Sequence, residues 1–248
     1  MKPIRIAQVS DVHISPDGAP VRGVDVRKQL LCVLNKLRTE TLDLLVLSGD
    51  LAAHDGEAGA YQWIQENVQD FPVPVLYMVG NHDRLEVMQQ HLNLPVPSAV
   101  PGVYCFAYSL EQHPLLFLDT GDNNLSEAQM HWLRETCVQY QENCLLFMHH
   151  PPLHCGCDYM DNHYYLHNRE AVWAVLQDIP NIQHIFCGHY HTDRNLSRDG
   201  KQVYLTPSTM MQLGTSGEKF SLEHISPGWR MIAWDGVQLT THTHYCRS

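Results

Sequence analysis

Seventeen histidines stand against sixteen lysines and arginines combined in these 248 residues. Imidazole is the commonest metal ligand in proteins and a ready acid or base near neutral pH, so the positions of these rings come first. Asp11-Val12-His13, Ser48-Gly49-Asp50, Gly80-Asn81-His82-Asp83, His149-His150-Pro151-Pro152 and Gly188-His189-Tyr190-His191 each follow a short apolar run. In extended chain, residues i and i+2 point the same way, so Asp11 and His13 are expected to converge. Any one of these fragments alone is ordinary. Five in order, each at the end of an apolar segment, predict that Asp11, His13, Asp50, Asn81, His149, His189 and His191 meet around metal.

That set offers oxygen and imidazole and no thiolate. It argues against a structural zinc site of the cysteine type and suits Mn, Fe, Co or Zn in a catalytic role. Seven ligands exceed what one ordinary ion takes but fit two ions sharing a carboxylate. Two divalent ions at roughly 3.5–4 Å form a clamp suited to in-line displacement at phosphorus, and lower the pKa of bound water toward ~7. Asp11, Asp50 and a metal-bound hydroxide would offset three of the four positive charges. About +1 then remains to attract a phosphodiester monoanion.

The elements that must position these residues alternate in type. Ile4–Val9, Leu42–Leu47, Val73–Met78, Leu115–Leu118, Cys144–Phe147 and His184–Cys187 read as strands. Leu30, Leu31, Val33, Leu34 and Leu37 recur at helical spacing within Val26–Leu37, as do Tyr61, Ile64 and Val68. Ser126-x-x-Gln129 reads as a capping box, and Asn168 as the cap of a further helix. This order predicts an α/β fold with a largely parallel core, and the carboxyl edge of such a sheet is where ligands bind. The last sixty residues differ. Asp199-Gly200 and Asp235-Gly236 mark hairpins, and Phe220–Ile225 reads as one more strand, so a second, partly antiparallel sheet is expected to close the chain. With no linker or repeat visible, residues 1–248 read as one domain.

A formal net charge of −11 argues against a general nucleic-acid binder, which needs a basic footprint, and against a polybasic membrane-surface protein. No apolar run approaches the roughly 18 residues of a membrane helix. The eight cysteines are not spaced as a small secreted framework. Cys32, Cys105, Cys137, Cys144 and Cys187 read as buried free thiols, and Cys155-Gly-Cys157 as a pair in a turn. The N-terminus has no signal-like apolar region, and a cleaved leader of ~15–30 residues would remove Asp11. A cytoplasmic protein is expected.

The series Asp11-x-His13, Gly49-Asp50, Gly80-Asn81-His82-Asp83, His149 and Gly188-His189-x-His191 resembles the calcineurin-like metallophosphoesterase superfamily. The resemblance implies a sandwich of two mixed β-sheets flanked by helices. It implies that Asp11, His13 and His191 bind one divalent ion and that Asn81, His149 and His189 bind the other, with Asp50 bridging; Fe and Mn are the expected metals. His82 is similar to the family's non-ligand histidine, which contacts the phosphate and protonates the leaving oxygen. A closer similarity is carried by Gly23-Val24-Asp25, His149-His150-Pro151, Leu166-x-Asn168, Thr206-Pro-Ser-Thr209 and Ile225-x-Pro-Gly-Trp-Arg230. These resemble the class III cyclic nucleotide phosphodiesterases of the bacterial cyclic AMP type. The implied reaction is hydrolysis of 3′,5′-cyclic AMP to AMP, with nucleotide contacts on His13, Asp50, Asn81, His82 and His191. His167 stands where relatives can carry Arg, and Met148 where some have a third His.

Other residues are read more plainly. His150 is either an orienting or a packing residue. His154, Asp158, His163 and His167 are solvated or line a substrate mouth. Tyr190 either packs or stacks on a base, and Asp83 is a candidate to orient His82. A glycerophosphodiesterase, a 2′,3′-cyclic nucleotide phosphodiesterase or a broad phosphatase is the same-class alternative, and a non-catalytic scaffold the other-class one.

Overall fold

A computed structural model describes residues 2–246. The strands are β1 (Ile4–Val9), β2 (Leu44–Ser48), β3 (Val75–Met78), β4 (Phe106–Leu110), β5 (His113–Leu118), β6 (Cys144–Met148) and β7 (Ile182–Cys187), followed by β8 (Arg194–Arg198), β9 (Lys201–Leu205), β10 (Gln212–Leu213), β11 (Leu222–His224), β12 (Gly228–Trp234) and β13 (Leu239–Tyr245). The helices are α1 (Val26–Leu37), α2 (Ala58–Val68), α3 (Leu85–His91), α4 (Glu127–Cys137), α5 (Asp158–His163) and α6 (Arg169–Gln177). Two large mixed sheets result, as expected. One runs β13-β12-β1-β2-β3, the other β4-β5-β6-β7-β9-β8.

The parallel strands are β1, β2 and β3 in the first sheet and β5, β6, β7 and β9 in the second. Their sequences are nearly continuous apolar runs because both faces are covered: β2, β5 and β6 are buried at every residue. In the second sheet Phe106, Phe117, Phe147, Phe186 and Tyr204 lie in register on five successive strands. Neighbouring rings stack at 4.6, 5.0, 5.2 and 4.8 Å between centroids. Each such pair contributes about 0.5–1.5 kcal/mol beyond its buried area.

The chain's end departs from expectation. Its last strands do not share one sheet of their own: β8 and β9 extend the second sheet, β12 and β13 extend the first, and only β10 and β11 stand apart as a two-stranded sheet. The Phe220–Ile225 strand is shorter, pairing only as β11 with β10. β4 has no counterpart in the sequence reading, because its hairpin to β5 turns on Glu111 and Gln112, both at positive φ. Asp-Gly and Asn-Gly pairs advertise such turns; Glu-Gln does not. Ser126 caps α4 by accepting from the Gln129 amide, but the Gln129 side chain reaches Asp119 instead of closing the box. Asn168 makes no cap bond; its amide ties down both backbone groups of Leu125.

The cysteine expectation is corrected at one position. Cys32 on α1 is joined by a disulfide to Cys246, 214 residues on. The other six are buried free thiols.

Candidate metal centre

The carboxyl edges of both sheets meet along one seam. Asp11, His13, Asp50, Asn81 and His82 follow β1, β2 and β3; His149, His189 and His191 follow β6 and β7. The sheets are joined beneath by a buried chain: Thr206 donates to Gln8 at 2.6 Å, and Gln8 donates to Ser48 at 3.0 Å.

Asp11 and His13 do converge, but not through extended chain. Asp11, His13, Asp50, His189 and His191 all have φ between 46° and 66°. This left-handed conformation costs an L-residue about 1–2 kcal/mol, and Asp and His are among the side chains that adopt it most readily. The chain leaving β1, β2 and β7 thus reverses sharply and throws these side chains back over the seam, whereas Asn81 after β3 and His149 after β6 need no left-handed residue. Gly49 makes room for this: a Cβ there would stand 2.5 Å from His149 Nδ1, at a φ of 97°.

Two ligand groups form. Donor atoms of Asp11, His13 and His191 lie within 4.8 Å of one another, and so do those of Asp50, His149 and His189. Asp50 also groups with His13 and His82. Across the seam, Asp50 Oδ2 is 3.4 Å from His149 Nε2 and 3.8 Å from His13 Nε2, while Asp11 Oδ1 is 3.4 Å from His191 Nε2. His13 and His191 face each other, Nε2 to Nε2, at 3.2 Å.

Each of three imidazoles donates its outer N–H to a backbone carbonyl. His149 Nδ1 donates to Ser48 at 2.9 Å, His189 Nε2 to Tyr164 at 2.6 Å, and His191 Nδ1 to Met211 at 3.1 Å. Such bonds fix the tautomer and turn the other nitrogen inward, as metal-binding histidines require. The inward atoms His189 Nδ1 and Asn81 Oδ1 are buried without a hydrogen-bond partner, and His149 Nε2 meets only the carboxylates of Asp50 at 3.4 Å and Asp11 at 3.8 Å. Burying polar atoms unpaired is costly, and a cation among them removes the cost. The residues therefore fit a pair of metal ions.

Charge serves the same end at His13, His189 and Asp11, and opposes it at His149. Burial holds His13 down to about 3 and His189 down to about 4, so both are neutral ligands at pH 7. Burial would raise Asp11, but His191 and His149 outweigh it and hold the carboxyl at about 2. Burial would likewise strip His149, but Asp50 and Asp11 raise it to about 9.

His82 donates its backbone N–H to Asp50 Oδ1 at 2.9 Å, and its ring packs edge-on to His13 at 4.9 Å. Its Nδ1 is buried and unpartnered. Asp83 does not orient that ring. Its carboxylate accepts from the amides of Leu51, Ala52 and Gly80 and from the Tyr61 hydroxyl, pinning the two loops to α2. His150 packs against His189 at 3.9 Å and is held by Thr120 and Asn123. Tyr190 is buried, with its hydroxyl donating to Asp161, so it is a packing residue.

A cavity of about 620 Å³ opens over the seam, with His13, Asp50, Asn81, His82, His189 and His191 on its floor. The loop after His149 lines it through Tyr159, Met160 and Tyr164, not through His154, Asp158, His163 or His167. Sequence reading missed Ser208, whose hydroxyl donates to the Asp11 carbonyl at 2.9 Å and accepts from the Met210 and Met211 amides. It also missed the carbonyls of Ser48, Tyr164 and Met211. A carbonyl is present at every residue, so no residue type could have signalled them.

Known proteins resemble this chain over nearly its whole length. A probable cyclic nucleotide phosphodiesterase of Fibrobacter succinogenes is 39% identical over 98% of this chain and 94% of its own length. The 3′,5′-cyclic adenosine monophosphate phosphodiesterase CpdA of Escherichia coli is 33% identical over 97% of this chain and 89% of its own. A dimetal phosphatase from Danio rerio shares the fold, with a TM-score of 0.67 at 16% identity over 96% of this chain and 98% of that one. Residues 4–193 match the calcineurin-like phosphoesterase family, and the chain belongs to it.

Proposed function

We propose that this protein hydrolyses 3′,5′-cyclic AMP to the 5′-nucleotide at a binuclear metal centre. The observation that carries the reading is the set of buried, unpartnered donor atoms aimed at one seam beneath an open cavity. Asp11, His13 and His191 would hold one ion, and Asn81, His149 and His189 the other, with Asp50 shared; Fe or Mn suits the oxygen and imidazole set, as would Zn or Co. When bound, two such ions supply an activated water and offset charge on the phosphate.

The remaining work belongs to the chain. The carbonyls of Ser48, Tyr164 and Met211 keep three imidazoles turned inward. His13, Asp50, Asn81, His82 and His191 form the floor on which the phosphate rests. His82 carries a proton to the 3′ oxygen as its bond to phosphorus breaks, because an alkoxide leaves poorly until protonated. Among the described residues no helix is long and apolar enough to cross a membrane. We assign the reaction to the cytoplasm, where most cysteines stay reduced; six buried free thiols fit that assignment, and the Cys32–Cys246 bond pulls the other way.

The test is turnover by protein loaded with Mn²⁺ on 3′,5′-cyclic AMP, 2′,3′-cyclic AMP, a glycerophosphodiester and bis(p-nitrophenyl) phosphate. The highest kcat/KM is expected on 3′,5′-cyclic AMP, with 5′-AMP as the product. A loaded protein that leaves cyclic AMP intact defeats the proposal.

A further inference from the structure

The cavity over the metal seam has two unlike halves. Its floor is polar, but one wall is aromatic and thioether: Tyr159, Tyr164, Phe220, Met160 and Met211. The three rings come from separate segments, Tyr159 from α5, Tyr164 from just beyond it, and Phe220 from the loop between β10 and β11. Tyr159 meets Phe220 edge-on at 6.1 Å and Tyr164 at a 56° tilt at 5.4 Å, and its hydroxyl donates to that of Tyr164 at 3.2 Å. Arg22, from the facing loop, lies over Phe220 at 5.3 Å.

None of these contacts stacks ring flat on ring, and Arg22 covers one face of Phe220 only. Tyr164 is 46% exposed and Phe220 43% exposed, an unusual placement for rings at the rim of a polar site. Large aromatic side chains gain most by being covered. Of the polar groups opposite, the Ser15 hydroxyl donates to the Ala19 carbonyl at 2.6 Å, Asp17 accepts from the Ala19 amide, and the Arg22 guanidinium is turned over Phe220.

From this we infer that the wall of Tyr159, Tyr164 and Phe220 is a subsite for the flat base of a nucleotide. It grips the base by its face and leaves the hydrogen-bonding edge unread. The inference rests on the phosphodiesterase reading of the floor below. Face stacking tolerates any base, since every base has a π-face. A site built to hydrogen-bond one group rejects its absence by roughly 10⁴-fold or more, whereas apolar packing discriminates by only about 10–200-fold. Adenine and guanine nucleotides are therefore both accepted.

The experiment is calorimetric titration of AMP, GMP and inorganic phosphate into Mn²⁺-loaded wild type, Phe220→Ala, Phe220→Leu and Tyr159→Ala. AMP and GMP are expected within about 100-fold of each other. Each Ala variant should bind both nucleotides about 5- to 150-fold more weakly, with phosphate affinity unchanged. Phe220→Leu, which keeps apolar bulk but loses the ring, should recover less than half of the lost binding free energy. GMP binding more than 10³-fold weaker than AMP overturns the inference. So do unchanged nucleotide affinity in the Ala variants, a parallel loss of phosphate binding, and full recovery in Phe220→Leu. If cyclic AMP is not hydrolysed while AMP still binds through Phe220, the catalytic reading fails and the base subsite stands.

Discussion

In the metal-free protein the His149 ring should keep its Nε2 proton to about pH 9, well above an ordinary imidazole. The cause is local. Burial opposes the charged form, yet Asp50 Oδ2 lies 3.4 Å away and Asp11 Oδ1 3.8 Å away. At an effective dielectric of about 20, a unit pair at the Asp50 distance gains about 5 kcal/mol. Replacing Asp50 by Asn removes that attraction and leaves the burial cost. Proton affinity should fall by about 10³–10⁴-fold, taking His149 below the ordinary imidazole range. The assay is ¹⁵N NMR titration of the imidazoles in chelator-treated wild type and Asp50→Asn. The sign has two consequences. Because the folded value lies above the unfolded one, the pair stabilises the metal-free fold fully below about pH 6.5 and is lost as pH rises through about 9. A metal arriving at pH 7 must also displace a proton held about 100-fold too tightly, a cost of about 2.7 kcal/mol. A wild-type His149 titrating near 6.5, or one indifferent to Asp50→Asn, would refute the reasoning.

Three further substitutions separate chemistry from architecture. His82→Ala should keep both metals by elemental analysis and lower kcat by about 10²–10⁴; full activity would remove His82 from proton transfer. Phe147→Ala breaks two ring stacks at the centre of the second sheet, and should cost about 3–5 kcal/mol in chemical denaturation. Cys32→Ser should lower stability by about 2–4 kcal/mol against the oxidised protein, and by little against protein kept in reductant.

The clustering of Asp11, His13, Asp50, Asn81, His149, His189 and His191 was legible because each follows an apolar strand, and parallel strands deliver their ends to one edge. The geometry of delivery was not. Asp11 and His13 were expected to align through a two-residue repeat, whereas both are turned by left-handed backbone that no spacing rule reports. The two-sheet architecture followed from strand content and resemblance. The assignment of β12 and β13 to the first sheet did not, since an antiparallel hairpin reads the same beside either partner. The Cys32–Cys246 bond joins residues 214 apart, and neither has a local signature to distinguish it from the six thiols. Most hidden were the carbonyls that aim the imidazoles, because they depend on the path of the chain and not on side-chain identity.

The division of donors between the two sheets has a mechanical meaning. One sheet supplies Asp11, His13, Asp50 and Asn81, the other His149, His189 and His191, so cations held as proposed would act as rivets through a joint as well as reagents. Anything that binds only the folded state stabilises it by mass action, and here that gain falls on the join between the halves. Chelation should then loosen the seam before it melts either sheet, with amide exchange rising first around Ser48, Tyr164 and Met211. Metal starvation would then slacken the join between the halves as well as silence the chemistry.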